Sequence, residues 1–108
     1  LEVMPDAIAP LDFFAVPIVA GYYQIGETVK ANQLASLLNR TSTEELAYYF
    51  SFPDKDLKSL EYSIYEALFT LQRLSDMTTK AKQEKMAEEI GASLKKYYDL
   101  YVEKVYQR

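Results

Sequence analysis

Two adjacent carboxylate pairs, Glu44-Glu45 and Glu88-Glu89, are the first residues in this chain whose types could do chemistry. Glycoside hydrolysis needs two carboxyl groups facing each other across a cleft. Neighbours on one helix project about 100° apart, so each pair reads as a cap or a solvated face rather than as an acid and its base. Lys95-Lys96 reads the same way, because two charges do not make a basic patch. The sequence has no histidine and no cysteine. That removes thiolate nucleophiles, histidine triads, disulfides and Cys/His zinc sites. No catalytic residue, cofactor site or metal site is therefore expected, and the chain is not expected to be an enzyme.

Tyrosine is the other residue type that stands out, with ten copies beside no tryptophan. Tyr48 and Tyr49, and Tyr97, Tyr98 and Tyr101, form two clusters. A tyrosine joins a large apolar ring to a polar tip, so such clusters can close a core with the hydroxyls at its rim, anchor a partner peptide, or stack on sugar rings. The core reading is preferred for the tyrosines as a group. Tyr48, Tyr49, Tyr98 and Tyr101 are the candidates for an interaction surface if one exists. Asn39-Arg40-Thr41 matches an N-glycosylation sequon, for which chance is the default explanation.

The chain has 108 residues and a formal charge of −4, with 49% hydrophobic and 26% charged residues. That is the composition of one ordinary globular domain. An acidic balance without a Lys/Arg run argues against nucleic acid and anionic membrane surfaces as partners. The longest apolar run, Phe13 to Tyr23, contains Pro17 and Gly21 and falls well short of the roughly 20 residues that span a bilayer. Direct membrane insertion is not expected. The chain lacks the pattern of a signal peptide. Leu1-Glu2-Val3-Met4-Pro5 reads as the tail of a preceding helix, which makes a fragment of a longer protein the expectation.

The elements that would hold these residues read as helices throughout. Pro5 to Asp12 is a connection, with Asp12 placed to cap a first helix that runs to about Gln24. Gly26 supplies a left-handed stop. Ala31, Leu34, Ala35, Leu37 and Leu38 carry the helical spacing of a second helix, completing a hairpin over residues 13–38. Asn39 to Ser42 interrupts the pattern, and Thr41 with Glu44 and Ser42 with Glu45 are overlapping capping boxes. A short third helix is expected over 43–51. Pro53-Asp54 ends it. Leu57, Leu60, Ile64, Leu68, Leu71 and Leu74 then form one apolar stripe, and Met86, Ile90, Leu94, Tyr97, Tyr101 and Val105 form another, so residues 55–107 predict a long antiparallel pair. A break at Thr78 to Lys82 separates them without glycine or proline. Gly91, inside the last helix, is expected to mark a close crossing near Ala92.

The spacing Tyr22, Gly26, Ala31, Ala35, Leu38 resembles a tetratricopeptide repeat, in which an aromatic, a glycine turn and small residues let two helices pack closely. The expected fold is thus all-α, a tetratricopeptide-like bundle of about five helices in antiparallel hairpins. On a wider scale, Pro10-Leu11-Asp12-Phe13-Phe14-Ala15-Val16-Pro17-Ile18-Val19-Ala20, Tyr22-Tyr23, Ala35-Ser36-Leu37-Leu38 and Glu44-Glu45-Leu46-Ala47-Tyr48-Tyr49-Phe50-Ser51 follow in an order that resembles the C-terminal region of the DUF2723 family. These are bacterial polytopic membrane proteins similar to glycosyltransferases and to a vertebrate protein O-mannosyltransferase. The resemblance implies a soluble, non-catalytic region attached to the inner membrane on its periplasmic side, with the catalytic groups elsewhere in the parent protein. It implies the rest of that protein, or another protein or peptide, as partner. A homodimer through a truncated flank and a glycan-binding role for the tyrosine faces are the alternatives.

Overall fold

The computed structural model describes residues 15–106. The expectations for the tail at 1–5, the connection that follows, the cap at Asp12, and residues 13, 14 and 107 lie outside the described residues. Four helices pack in antiparallel contacts: α1 (15–24), α2 (Thr28–Phe50), α3 (Glu61–Lys80) and α4 (Glu84–Tyr101). A single helical turn, Asp54–Leu57, and a 3-10 turn, Lys58–Leu60, lead into α3, and a π-turn, Val102–Tyr106, follows α4. Among the described residues no strand occurs. The Cα extents are 46 × 34 × 15 Å. The short dimension is that of two helix layers with axes about 10 Å apart.

α1 buries Val16 and Val19 on one face. It ends where the N–H of Gly26 donates to the carbonyl of Tyr23 at 3.2 Å and that of Glu27 donates to Tyr22 at 2.8 Å. This double bond pattern needs a left-handed residue in the middle, and Gly26 supplies it with φ 82°. The chain thereby reverses into α2 within three residues.

α2 is where the structure departs most from the expected five helices. The interruption at Asn39 to Ser42 does not occur: one helix runs unbroken from Thr28 to Phe50, merging the expected second and third. Its buried residues are Ala31, Ala35, Leu38, Ser42 and Leu46, a stripe with the spacing of three and four that passes straight through the expected gap. Ser42 keeps its place on that stripe as a small polar residue. Thr43 turns its hydroxyl back onto the carbonyl of Arg40 at 2.9 Å, bonding within the helix instead of capping a new one. Continuous burial on both sides of the polar segment outweighs the weak helix propensity of Asn, Thr and Ser.

Ser51 closes α2 with its hydroxyl on the carbonyl of Tyr48 at 2.6 Å. The next turn has Pro53 at its N-cap, with no side-chain cap bond. Asp54 receives Lys104 at 3.4 Å, joining the turn to the far end of the chain. Leu57 is wholly buried there.

α3 buries Ile64, Ala67, Leu68, Leu71, Leu74 and Thr78. Thr78 satisfies its buried hydroxyl on the carbonyl of Leu74 at 2.8 Å. α4 returns alongside with Ile90, Tyr97 and Tyr101 buried, and Val105 extends that stripe into the π-turn. Met86 and Leu94 pack against the core from its edge. The expected crossing at Gly91 is absent: a Cβ added there meets nothing within 4 Å.

Candidate functional site

α3 touches α2 along one side and α4 along the other, and each seam carries one of the tyrosine clusters. On the α2 side, Tyr48 is exposed and meets Phe52 edge-to-face at 5.2 Å and Tyr49 at 5.8 Å. Tyr49 is half-buried. Burial raises its phenol pKa above the ordinary value, and the Glu45 and Glu66 carboxylates push it the same way while a hydrogen bond with Ser63 opposes them.

On the α4 side the cluster divides between core and surface. Tyr97 is buried and stacks on Phe50 at 6.2 Å. Tyr101 is also buried, and its hydroxyl reaches the rim to donate to Glu61 at 2.8 Å. Burial first, then that hydrogen bond and the Glu61 charge, push the Tyr101 phenol up to about 12. The same bond, with help from Lys58 at 3.2 Å, holds the Glu61 carboxyl below its usual range. Tyr98 remains exposed, 6.3 Å from Tyr101 between ring centres. Of the four tyrosines singled out from the sequence, two are therefore surface, one is half-buried and one is core.

Between the seams lies a feature that the sequence reading missed. The outward face of α3 exposes Tyr62 at 74%, Tyr65 at 58% and Phe69 at 50%. The guanidinium of Arg73 lies 5.9 Å over the Phe69 ring. Tyr62 hydrogen-bonds Glu66, which raises its phenol pKa. These rings fall at i, i+3 and i+7, on the side of α3 away from Ile64, Leu68 and Leu71. The signal was present in the sequence as a second aromatic stripe out of phase with the core stripe.

At the opposite end of α3 the two hairpin corners meet. Tyr23 donates to Asn32 Oδ1 at 2.6 Å, Asn32 Nδ2 donates to Gln83 Oε1 at 3.0 Å, and Gln83 Nε2 donates to the carbonyl of Ala81 at 3.1 Å. Burial raises the pKa of Tyr23. Beside this chain of bonds opens a cleft of about 300 Å³ lined by Ala20, Tyr23, Gln24, Thr28, Met77 and Ala81.

Of the carboxylate pairs, only Glu45 acts on a tyrosine cluster, through its charge on Tyr49. Glu88 and Glu89 are exposed on α4, and Glu44 is exposed on α2. Lys95 pairs with Asp99 at 3.0 Å on the surface, and Lys96 sits 5.1 Å over the Tyr97 ring. Among the described residues no group of three or more acidic, histidine or cysteine side chains could hold a metal ion.

Compared with protein-family models, with curated proteins and with solved structures, the chain matches none of them. What the sequence and geometry establish together is a small all-helical domain. None of its described helices is long and apolar enough to cross a membrane.

Proposed function

We propose that this chain is a non-catalytic helical interaction module whose contact surface is the outward face of α3. The observation that carries the reading is the exposed run Tyr62, Tyr65 and Phe69 on one face of α3. Exposed aromatics in one contiguous stripe are the composition of an interface core. A tetratricopeptide-like role for the α1–α2 hairpin is supported by Gly26 in its left-handed turn and by Ala31 and Ala35, both wholly buried. Attachment to a membrane-embedded glycosyltransferase-like protein, on the periplasmic side, rests on the order of sequence blocks alone.

Photo-cross-linking tests the reading. A photoreactive side chain placed at Tyr65 in the chain expressed in its own cell is expected to form a protein adduct, while one at Glu88 forms none. A saturable change in tyrosine fluorescence on adding oligosaccharides, abolished by Tyr49→Ala, with no adduct at position 65, would replace this reading with a glycan-binding one.

A further inference from the structure

Three elements converge on the cleft at the hairpin corners. α1 contributes Ala20, Tyr23 and Gln24, the first residue of α2 contributes Thr28, and the end of α3 with its capping residue contributes Met77 and Ala81. The volume is about 300 Å³. A cavity of about 150 Å³ holds one benzene ring, so a molecule of one or two rings matches the space here. Five of the six side chains carry no titratable group, and burial keeps the sixth, the Tyr23 phenol, neutral to a pH above its ordinary value. An ion entering the cleft would give up hydration and gain no countercharge from its walls. An uncharged occupant fits.

The chain of hydrogen bonds beside the cleft fixes which polar group that occupant needs. Its far end is the carbonyl of Ala81, which can only accept, so Gln83 must turn its amide N–H₂ there, at 3.1 Å. The Gln83 Oε1 then faces Asn32, which must donate from Nδ2 at 3.0 Å. That leaves the Asn32 Oδ1 for Tyr23, whose hydroxyl must donate at 2.6 Å. A phenol has one proton, so the Tyr23 oxygen retains acceptor capacity alone. Its direction is set before anything binds, because Asn32 and Gln83 hold it from two elements, and little ordering is lost on binding. Ala20 and Ala81 add methyl groups, and Met77 adds a thioether that adapts to a flat ring and makes favourable sulfur–aromatic contacts. We propose that this cleft binds a small uncharged aromatic molecule carrying an N–H or O–H, with its ring against Met77 and its donor on the Tyr23 oxygen. The site is separate from the outward face of α3 and independent of what that face contacts.

Indole and N-methylindole test this, being the same fused ring with and without the donor. Each is titrated into the isotopically labelled full chain and followed by NMR. Indole is expected to move the signals of Gln24, Thr28, Met77 and Ala81 with a dissociation constant on the order of 0.1–1 mM, the range for so small a ligand in an open cleft. N-methylindole should move the same signals and bind about threefold to tenfold more weakly, the worth of one hydrogen bond. Tyr23→Phe keeps the ring and removes the acceptor, so the two probes should bind that variant alike, and N-methylindole still reports whether the cleft is formed. Ala20→Met fills the cleft without touching the chain of bonds and should abolish the indole shifts while the rest of the spectrum stays folded. No movement up to about 5 mM indole, well above the expected constant, overturns the proposal. So does movement centred on Tyr62, Tyr65 and Phe69, equal binding of the two probes by the unaltered chain, or binding indifferent to both substitutions. Cross-linking from position 65 is read separately, so the cleft and the α3 face can fail one without the other.

Discussion

The two hairpins turn their corners with the same backbone device and different residues. At the α1–α2 corner the N–H groups of Gly26 and Glu27 bond to the carbonyls of Tyr23 and Tyr22. At the α3–α4 corner those of Lys82 and Gln83 bond to Thr79 at 3.0 Å and Thr78 at 2.9 Å. The central residue is left-handed in both, at φ 82° for Gly26 and 61° for Lys82. An L-residue in that region carries a penalty on the order of 1 kcal/mol that glycine escapes. The second corner tolerates it because side chains hold the turn: Gln83 bonds to Ala81 behind it and accepts from Asn32 across the bundle. The packing differs in parallel. α1 and α2 bury Val16, Val19, Ala31 and Ala35, whereas α3 and α4 bury Ile64, Leu71, Leu74 and Ile90. One hairpin buries smaller side chains and turns on a glycine, the other buries bulk and carries a polar brace.

That contrast is broken most severely by exchanging the two packing styles. Leu71→Ala empties a site with no exposed surface and is expected to lower stability by about 2–5 kcal/mol. Ala35→Leu forces bulk into a site with no exposed surface and is expected to lower it by about 1–3 kcal/mol. Urea unfolding followed by circular dichroism measures both. Equal tolerance of Ala35→Leu and wild type would mean that α1 and α2 do not depend on a small contact.

The α3–α4 seam also has a pH signature. With its pKa raised from 10.0 to about 12, the neutral Tyr101 phenol binds its proton more tightly in the folded chain. The stability it contributes is complete below pH 10 and is lost as pH rises toward 12. Two pH units set an upper bound of about 2–3 kcal/mol on that loss. Glu61 acts in the opposite window: its lowered pKa contributes stability above the ordinary value of 4.5, lost as pH falls below it. Tyr101→Phe should be less stable than wild type at neutral pH, and the difference should shrink between pH 10 and pH 12. A constant difference across that window would sink the assignment.

At the corners themselves the expected effects are smaller and opposite in sign. Gly26→Ala places a Cβ in a left-handed position and should cost about 1–2 kcal/mol, although the space around it is open. Lys82→Gly should gain up to about 1 kcal/mol by removing the same strain. If Lys82→Gly is neutral instead, the brace through Gln83 and Asn32 already compensates for the strained backbone. Thermal denaturation of the single and double variants resolves this, since distant corners should add and coupled ones should not.

How far this was legible follows from the same contrast. The Gly26 corner could be read because glycine has few other reasons to stand between two apolar runs. The end of α3 was visible as a lapse in the leucine stripe, but it was expected from Thr78 and the helix runs on to Lys80 with Thr78 buried, and nothing in a lysine announces a left-handed turn. Asn39 to Ser42 misled for the complementary reason. Its capping boxes are local signals, and the burial of Leu38, Ser42 and Leu46 along one stripe is a tertiary effect that overrides them. On the surface, Tyr48 and Tyr98 were identifiable by clustering along the chain. Tyr62, Tyr65 and Phe69 are gathered only by the helical period, as a stripe out of phase with the core one, because the sequence disperses them among core positions. The bonds from Tyr23 to Asn32 and from Asn32 to Gln83 span 9 and 51 residues, and no local pattern encodes such a chain.

Gly91 offers the finest test of the comparison, because the two hairpins would give opposite answers for a small residue in mid-helix. On α2, Ala31 and Ala35 have no exposed surface. Gly91 is also in mid-helix but is only partly buried, and an added Cβ meets nothing within 4 Å. Its glycine therefore carries only the backbone entropy penalty, about 0.5–1 kcal/mol relative to alanine. Gly91→Ala should raise stability by that amount and shift the unfolding midpoint upward without changing the denaturant slope. A loss of stability would show that α4 makes a close contact at this point in solution.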